Sequence, residues 1–359
     1  MNPVVKASSY AILNLMTLFV NVFFCNTILL SKGYEYMIKV ELHCHLDGAI
    51  PPHLFLKFAK EAGIVDCEDQ EWLNKHIMTE NMSLEDALKQ FDLLTQMLQS
   101  KQHLSETAQG LIDMKYDEGV RLLEMRFAPF LHTALTMNEA IEAVIDGMNK
   151  GLAKHPDMVA GVILCMMNID NRDLNEKTID LAYEYKDKGV VGIDLAGNEG
   201  AISSEDFDYL LTKANNLGLN ITIHAGESQD ASYVQKALNY HPKRIGHGIH
   251  AIQDEKVIQN IIDSKTVLEV SVTSNVLANC VDCLDNHPVK TLFDKGVLIN
   301  INTDDPCLMG IDINHEYDIL RNKFSFTDKE IMLTNLYGAR ASFCKDKDKI
   351  IKLIEEELQ

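Results

Sequence analysis

From residue 37 onward the chain alternates between short apolar runs and longer stretches with apolar residues three and four apart. The runs are MIKVELHCH (37–45), VRLLEMRFAP (120–129), MVAGVILCMM (158–167), VVGIDLAG (190–197), NITIHAGE (220–227), RIGHGIH (244–250), TVLEVSVTS (266–274) and VLININTDD (297–305). Most are rich in Val and Ile and bounded by Gly, Asp, Asn or Pro, which is the pattern of parallel strands buried on both faces. Between them, 84–98, 137–155, 205–218 and 254–264 carry the periodicity of amphipathic helices. Strands alternating with helices require right-handed parallel crossovers. Eight of them predict an α/β fold, a (β/α)8 TIM barrel rather than a doubly wound sheet. A helical insert after the first strand, residues 51–118, would cap the barrel mouth, and extra helices would follow the last strand. No internal repeat or low-complexity linker divides residues 37–359, which read as a single barrel domain.

Residues 1–36 break this pattern. No charged residue lies between Lys6 and Lys32, and the stretch 11–30 is long enough for a spanning helix or a signal-peptide core. Asn14, Asn21 and Asn26 interrupt it, and no small-x-small cleavage site follows. The segment therefore reads first as a hydrophobic extension outside the domain, or as a start misplaced ahead of Met37, then as a membrane anchor or cleaved signal. The first reading expects a cytoplasmic protein. The others allow anchoring or export, with membrane contact only through residues 11–30.

Composition narrows the partners. The 359 residues carry 33 Lys+Arg against 53 Asp+Glu, a formal charge of −20. Without a basic face, nucleic acid and anionic membrane surfaces are disfavoured, and no protein partner is implied. Eight scattered cysteines fit reduced thiols, and the lone C-x-x-C of Cys280 and Cys283 reads as a loop rather than a zinc knot.

In a barrel of this kind chemistry sits at the carboxyl ends of the strands. His43 and His45 end the first strand two residues apart, so both imidazoles face one side while Cys44 faces the other. His224 ends the fifth strand, and the eighth runs into Asn302-Thr303-Asp304-Asp305-Pro306. Three imidazoles and a carboxylate around one mouth suit Zn²⁺, with a position left for water. Glu227 and His247 end neighbouring strands. With a paired Asp they supply a base or orienting group for water and a proton donor for a leaving amine.

At this point the residues resemble a family. ELHCHLDGAI (41–50), EMRFAP (124–129), VVGIDLAGNE (190–199), TIHAGES (222–228), GHGIH (246–250), EVSVTSN (269–275) and NTDDP (302–306) look like the adenosine deaminases, in the expected order over about residues 38–345. His287-Pro288, Asn335 and Ser342-Phe343 resemble the family's carboxyl-terminal pattern. The resemblance implies one Zn²⁺ per chain on His43, His45, His224 and Asp304. It implies that Glu227 protonates purine N1, that His247 orients the attacking hydroxide, and that Asp305 pairs with N7. It further implies that the Gly197 N–H donates to N3, that Asp47 accepts the ribose 5′-hydroxyl, and that His45 also borders the substrate. The reaction would be hydrolytic deamination of adenosine and 2′-deoxyadenosine. Asp47, where relatives acting on free adenine carry Glu and those acting on a methylated adenylate carry Asn, argues for a nucleoside; a carboxylate there repels a 5′-phosphate. The alternatives are a related zinc barrel deaminase acting on adenine or another 6-substituted purine, and a non-catalytic nucleoside- or metal-binding protein.

The chain departs from the pattern at Ser271-Val272-Thr273-Ser274-Asn275, where Cys-Pro-x-Ser-Asn is frequent. It departs again at Met167-Asn168, in place of Arg-His, and at Asn198, in place of Asp. His53, His76, His103, His132 and His155 read as solvated polar residues. Leu54, Phe55, Phe58 and Ala59 form an apolar helix stripe that packs the core or borders the substrate as a lid, and Leu88, Phe91 and Leu94 repeat that choice.

Overall fold

The computed structural model describes residues 37–63 and 84–359. The expected amino-terminal extension, residues 1–36, lies outside them, as do His76 and the side chain of Leu88. Among the described residues are eight parallel strands: β1 (Lys39–His45), β2 (Val120–Phe127), β3 (Val159–Met167), β4 (Val190–Ala196), β5 (Thr222–Ala225), β6 (Arg244–His247), β7 (Val267–Val270) and β8 (Ile299–Ile301). They pair in chain order as two four-stranded sheets, β1 to β4 and β5 to β8. Parallel bridges join the sheets at both seams, Ile193 with Ile221 and Cys44 with Asp304. This is the α/β barrel that the alternation of runs predicts.

The helices are α1 (Pro52–Glu61), α2 (Leu84–Met97), α3 (Lys101–Asp117), α4 (Met137–Lys154), α5 (Arg172–Tyr185), α6 (Ser204–Asn216), α7 (Ala231–Leu238), α8 (Glu255–Ser264), α9 (Val272–Leu277), α10 (Val289–Asp294), α11 (Pro306–Met309), α12 (Ile313–Phe324), α13 (Asp328–Ala341) and α14 (Asp348–Glu357). Their starts follow from sequence. Thr136 and Glu139 form a reciprocal capping box at α4, and Thr327 and Glu330 form another at α13. The insert between β1 and β2 contributes α1 to α3. In α1, Phe55, Phe58 and Ala59 are buried. No helix among the described residues is long and apolar enough to cross a membrane.

The strands of the second half are shorter than their apolar runs. After His247 the chain enters a short 3-10 turn, Ile249–Gln253, and after Val270 it enters α9. Ile249, Ala251 and Val272 remain buried in these segments. An apolar run reports burial, and here burial outlasts extended backbone.

The two faces of β1 show how the barrel is filled. Val40 and Leu42 pack outward against Leu336, Ala339, Ile350 and Ile354 of α13 and α14. The alternate residues Glu41 and His43 turn inward and are fully buried, as are Glu124 and Arg126 of β2, Asp194 of β4, Arg244 of β6 and Glu269 of β7. The interior is a charged network. Arg126 pairs with Asp194 at 2.7 Å and Glu269 at 2.8 Å, while Arg244 pairs with Glu124 at 2.6 Å and with Glu269.

Candidate active site

The β1–β8 seam assembles the first group. The His45 N–H donates to the Asp304 carbonyl at 2.8 Å, and the Asp304 N–H donates to the His43 carbonyl at 3.1 Å. Asp304 reaches this position in the left-handed region, φ 66°, and His247 does the same at φ 59°. For non-glycine residues that conformation costs about 1–3 kcal/mol and clusters at functional sites. The alternation read from the sequence holds: the His43 and His45 rings lie 5.2 Å apart, and His43 lies 4.6 Å from His224 and 4.8 Å from His247.

Several ligand-type atoms stand close together. His43 Nε2 is 3.1 Å from Asp304 Oδ1, His45 Nε2 is 3.4 Å from the same oxygen, and His45 Nε2 is 3.4 Å from His224 Nε2. Four ligands at about 2.0–2.1 Å from a tetrahedral ion stand about 3.3–3.4 Å from one another. His247 Nε2 is 3.9 Å from the other oxygen, Asp304 Oδ2. His43, His224, His247 and Asp304 all offer ligand atoms within 4.8 Å of one another. The cluster can hold a metal ion, and His43 Nε2 is a buried atom without a hydrogen-bond partner among the described residues, as a ligand nitrogen should be.

Carboxylates behind the rings set their orientation. His43 Nδ1–H donates to Glu269 at 3.0 Å and His224 Nδ1–H to Asp194 at 3.1 Å, which turns each Nε2 lone pair inward. Arg126 grips both carboxylates. Burial alone would raise the pKa of each; Arg126 with Arg244 at Glu269, and His224 with Arg126 at Asp194, hold them well below the usual carboxylate range. Ser274 Oγ donates to Asp304 Oδ2 at 2.6 Å, leaving Oδ1 for the cluster.

Two acids at the mouth behave oppositely. Burial first, then the charges of Asp304 and Glu199, push Glu227 up to about 8. Burial with Asp304, Asp47 and Glu227 raises Asp305 well above its ordinary value. Both therefore tend to keep a proton. The loop bearing Glu227 is held by Glu199, whose carboxylate accepts the backbone N–H groups of Glu227, Ser228 and Gln229 at 2.8–3.1 Å. His45 and His247 are neutral, with burial pressing both pKa values well down. In contrast, at His43 burial and Arg126 lower the pKa, yet Asp304 and Glu269 raise it overall.

Asp47 follows β1 and is fully buried. Its Oδ1 lies 3.2 Å from Nε2 of His132, a ring whose Nδ1–H donates to the Leu98 carbonyl at 2.8 Å. Expected to be solvated, His132 is instead buried behind Asp47, and the residue that follows α2, Leu98, supplies its acceptor. Of the other histidines read that way, His53 is exposed, whereas His103 and His155 are half-buried and bonded to Glu61 and Asp113. Gly48 leaves room for Asp305, because a Cβ there would sit 1.8 Å from its Oδ1. Gly197 follows β4 at φ 85°.

The structure thus brings His43, His45, His224, Glu227, His247, Asp304, Asp305 and Asp47 to one mouth. Sequence reading passed over Arg126, Asp194, Glu199, Glu269 and Asn275. All five lie inside the motifs EMRFAP, VVGIDLAGNE and EVSVTSN. For Arg126, Asp194 and Glu269 the usable signal was a charged residue within an apolar strand run, which must face either a partner or a ligand; Glu199 and Asn275 lie just beyond their runs and carried no such signal.

Comparison with known proteins follows from this geometry. A family model described as adenosine deaminase matches residues 38–357. An adenosine deaminase from Haemophilus ducreyi is 35% identical over 319 residues, 86% of this chain and 93% of that one. Among solved structures, an adenine deaminase from Arthrobacter aurescens superposes with a TM-score of 0.78 at 24% identity, covering 90% of this chain and 99% of its own. The N6-methyl-AMP deaminase of Arabidopsis thaliana does so with a TM-score of 0.77 at 24% identity, covering 90% and 96%.

Proposed function

The chain belongs to the adenosine deaminase family of hydrolases, and from that premise we propose that it removes ammonia hydrolytically from C6 of adenosine and 2′-deoxyadenosine, giving inosine and 2′-deoxyinosine. His43, His45, His224 and Asp304 are assigned to a single Zn²⁺. Three nitrogens and one oxygen suit that ion, and the spacings of His43 and His45 to Asp304 and of His45 to His224, 3.1–3.4 Å, are those of neighbouring ligands in its tetrahedron. When bound, the ion supplies Lewis acidity sufficient to lower the pKa of water from about 15.7 to about 7.

Glu227, with its raised pKa, gives its proton to purine N1. That makes C6 electrophilic, so water adds there and the amine leaves as ammonia. Asp305 keeps its proton and donates to N7, a ring nitrogen that can only accept. The Gly197 N–H donates to N3, and His247 faces the attacking oxygen.

The choice of a nucleoside rests on Asp47. Its buried carboxylate, backed at Oδ1 by His132 Nε2 at 3.2 Å, suits a 5′-hydroxyl and repels a 5′-phosphate. The test is to incubate the purified protein with adenosine, 2′-deoxyadenosine, adenine, AMP and N6-methyl-AMP and follow the purine absorbance. The nucleosides should be turned over fastest. Equal or faster turnover of adenine or either monophosphate would sink the Asp47 argument.

A further inference from the structure

Asn275 and His287 lie outside the proposed reaction set, yet a one-way chain of hydrogen bonds joins them to His247. It starts at a backbone amide, which can only donate. The Val289 N–H donates to His287 Nδ1 at 3.2 Å, so that nitrogen carries no proton. Burial pushes the His287 pKa down to about 3, and the neutral ring keeps its proton on Nε2, 3.2 Å from Asn275 Oδ1. With its oxygen engaged, the Asn275 amide turns its NH₂ group to His247 Nδ1 at 3.0 Å. His247 therefore accepts at Nδ1 and carries its proton on Nε2. Flipping the Asn275 amide would set its NH₂ against the His287 Nε2–H, and moving that proton to Nδ1 would set it against the Val289 N–H.

We propose that Asn275 and His287 are positioning residues that lock His247 in the Nε2–H tautomer, making it a hydrogen-bond donor to the attacking oxygen and barring it from the metal. His247 Nε2 is buried without a hydrogen-bond partner among the described residues and points into the cluster, 3.7 Å from Glu227 Oε1 and 3.9 Å from Asp304 Oδ2. A metal ligand needs a bare nitrogen. His43 and His224 have one because their Nδ1–H groups are spent on carboxylates, whereas His247, backed by an amide donor, has its bare nitrogen on the far side of the ring. The part of the proposal that concerns the attacking oxygen rests on the deaminase reading; the tautomer does not.

The test is nitrogen-15 spectroscopy of the histidine rings in the full chain, with the His247 signals identified by their loss in His247→Gln. The expected spectrum has a protonated Nε2 and a bare Nδ1 at His247. Adding Zn²⁺ to metal-stripped protein should leave that pair unchanged while shifting His43, His45 and His224. In Asn275→Asp, an acceptor replaces the donor, so Nδ1 gains a proton. Turnover of adenosine should then lose about 10²- to 10³-fold in kcat, with KM moving by no more than about twofold. His287→Gln, whose amide can still donate to Asn275, should retain tautomer and kcat, while His287→Leu loses both.

A wild-type His247 protonated on Nδ1, an Nε2 proton lost on zinc binding, or an unchanged tautomer in Asn275→Asp would each overturn the proposal. If Asn275→Asp does not fold, the wild-type spectra decide. An intact Nε2–H tautomer in a protein that leaves adenosine untouched would refute the deaminase reading and keep the relay.

Discussion

At Glu227 the protein works against ionisation, and activity should carry that signature. If the proton on this carboxyl reaches N1, kcat/KM falls as pH rises through about 8, because the acid form is the working one. The sign for folding is the same. The folded state holds a proton that the unfolded carboxyl, with an ordinary value of 4.5, has released, so the contribution of Glu227 to stability declines between about pH 4.5 and 8. Glu227→Gln should cost about 10²- to 10⁴-fold in kcat and remove the alkaline limb from the pH profile, while metal content is retained. Gly48→Ala should misplace Asp305, with a loss of about 10²-fold in kcat/KM, readable against thermal melts that show the fold intact. At His132, exchange for Leu takes the partner from behind Asp47. An increase of about tenfold in KM for adenosine with kcat preserved is expected.

Among the elements, β2 does more than pair with its neighbours. Arg126 at its carboxyl end is the common partner of the two carboxylates that orient His43 and His224, so loosening it loosens both rings. Arg126→Met leaves Asp194 and Glu269 short of their counter-ion and should destabilise the fold by about 3–5 kcal/mol in urea titrations, with metal affinity falling about 10- to 100-fold. The position of His43 and His45 was legible because a strand has a period of two, and the helices were legible because theirs is 3.6. The charged interior was not. Glu41, Glu124, Arg126, Arg244 and Glu269 sit in runs that read as apolar, and only the closed ring shows which partners excuse their burial. Likewise the ends of β6 and β7 were overrun, since buried turns and buried strands share one composition. His132 escaped because its partner, the Leu98 carbonyl, belongs to an insert whose packing no local pattern specifies.

At the scale of the whole molecule, the acidic excess acquires a local meaning, since Asp47, Glu227, Asp304 and Asp305 crowd one mouth, so closely that Glu227 and Asp305 tend to keep their protons. A bound cation relieves that crowding. Zn²⁺ at 100 times its dissociation constant should stabilise the fold by about 2.7 kcal/mol, seen as a higher melting temperature that a chelator reverses. The β1–β8 seam carries a further consequence, in time rather than in space. Asn302 accepts the backbone N–H groups of Leu42 and His43, 260 and 259 residues away along the chain, and the next residue but one is Asp304. Closing so long a span is the slow part of making a structure of this kind, because its entropy is lost before its contacts form. During synthesis, two of the four assigned ligands emerge near the start and the last emerges only after all eight strands have been laid down. Tight metal uptake therefore marks the completion of the ring. In refolding experiments it should appear with the final kinetic phase, after most helical signal has returned.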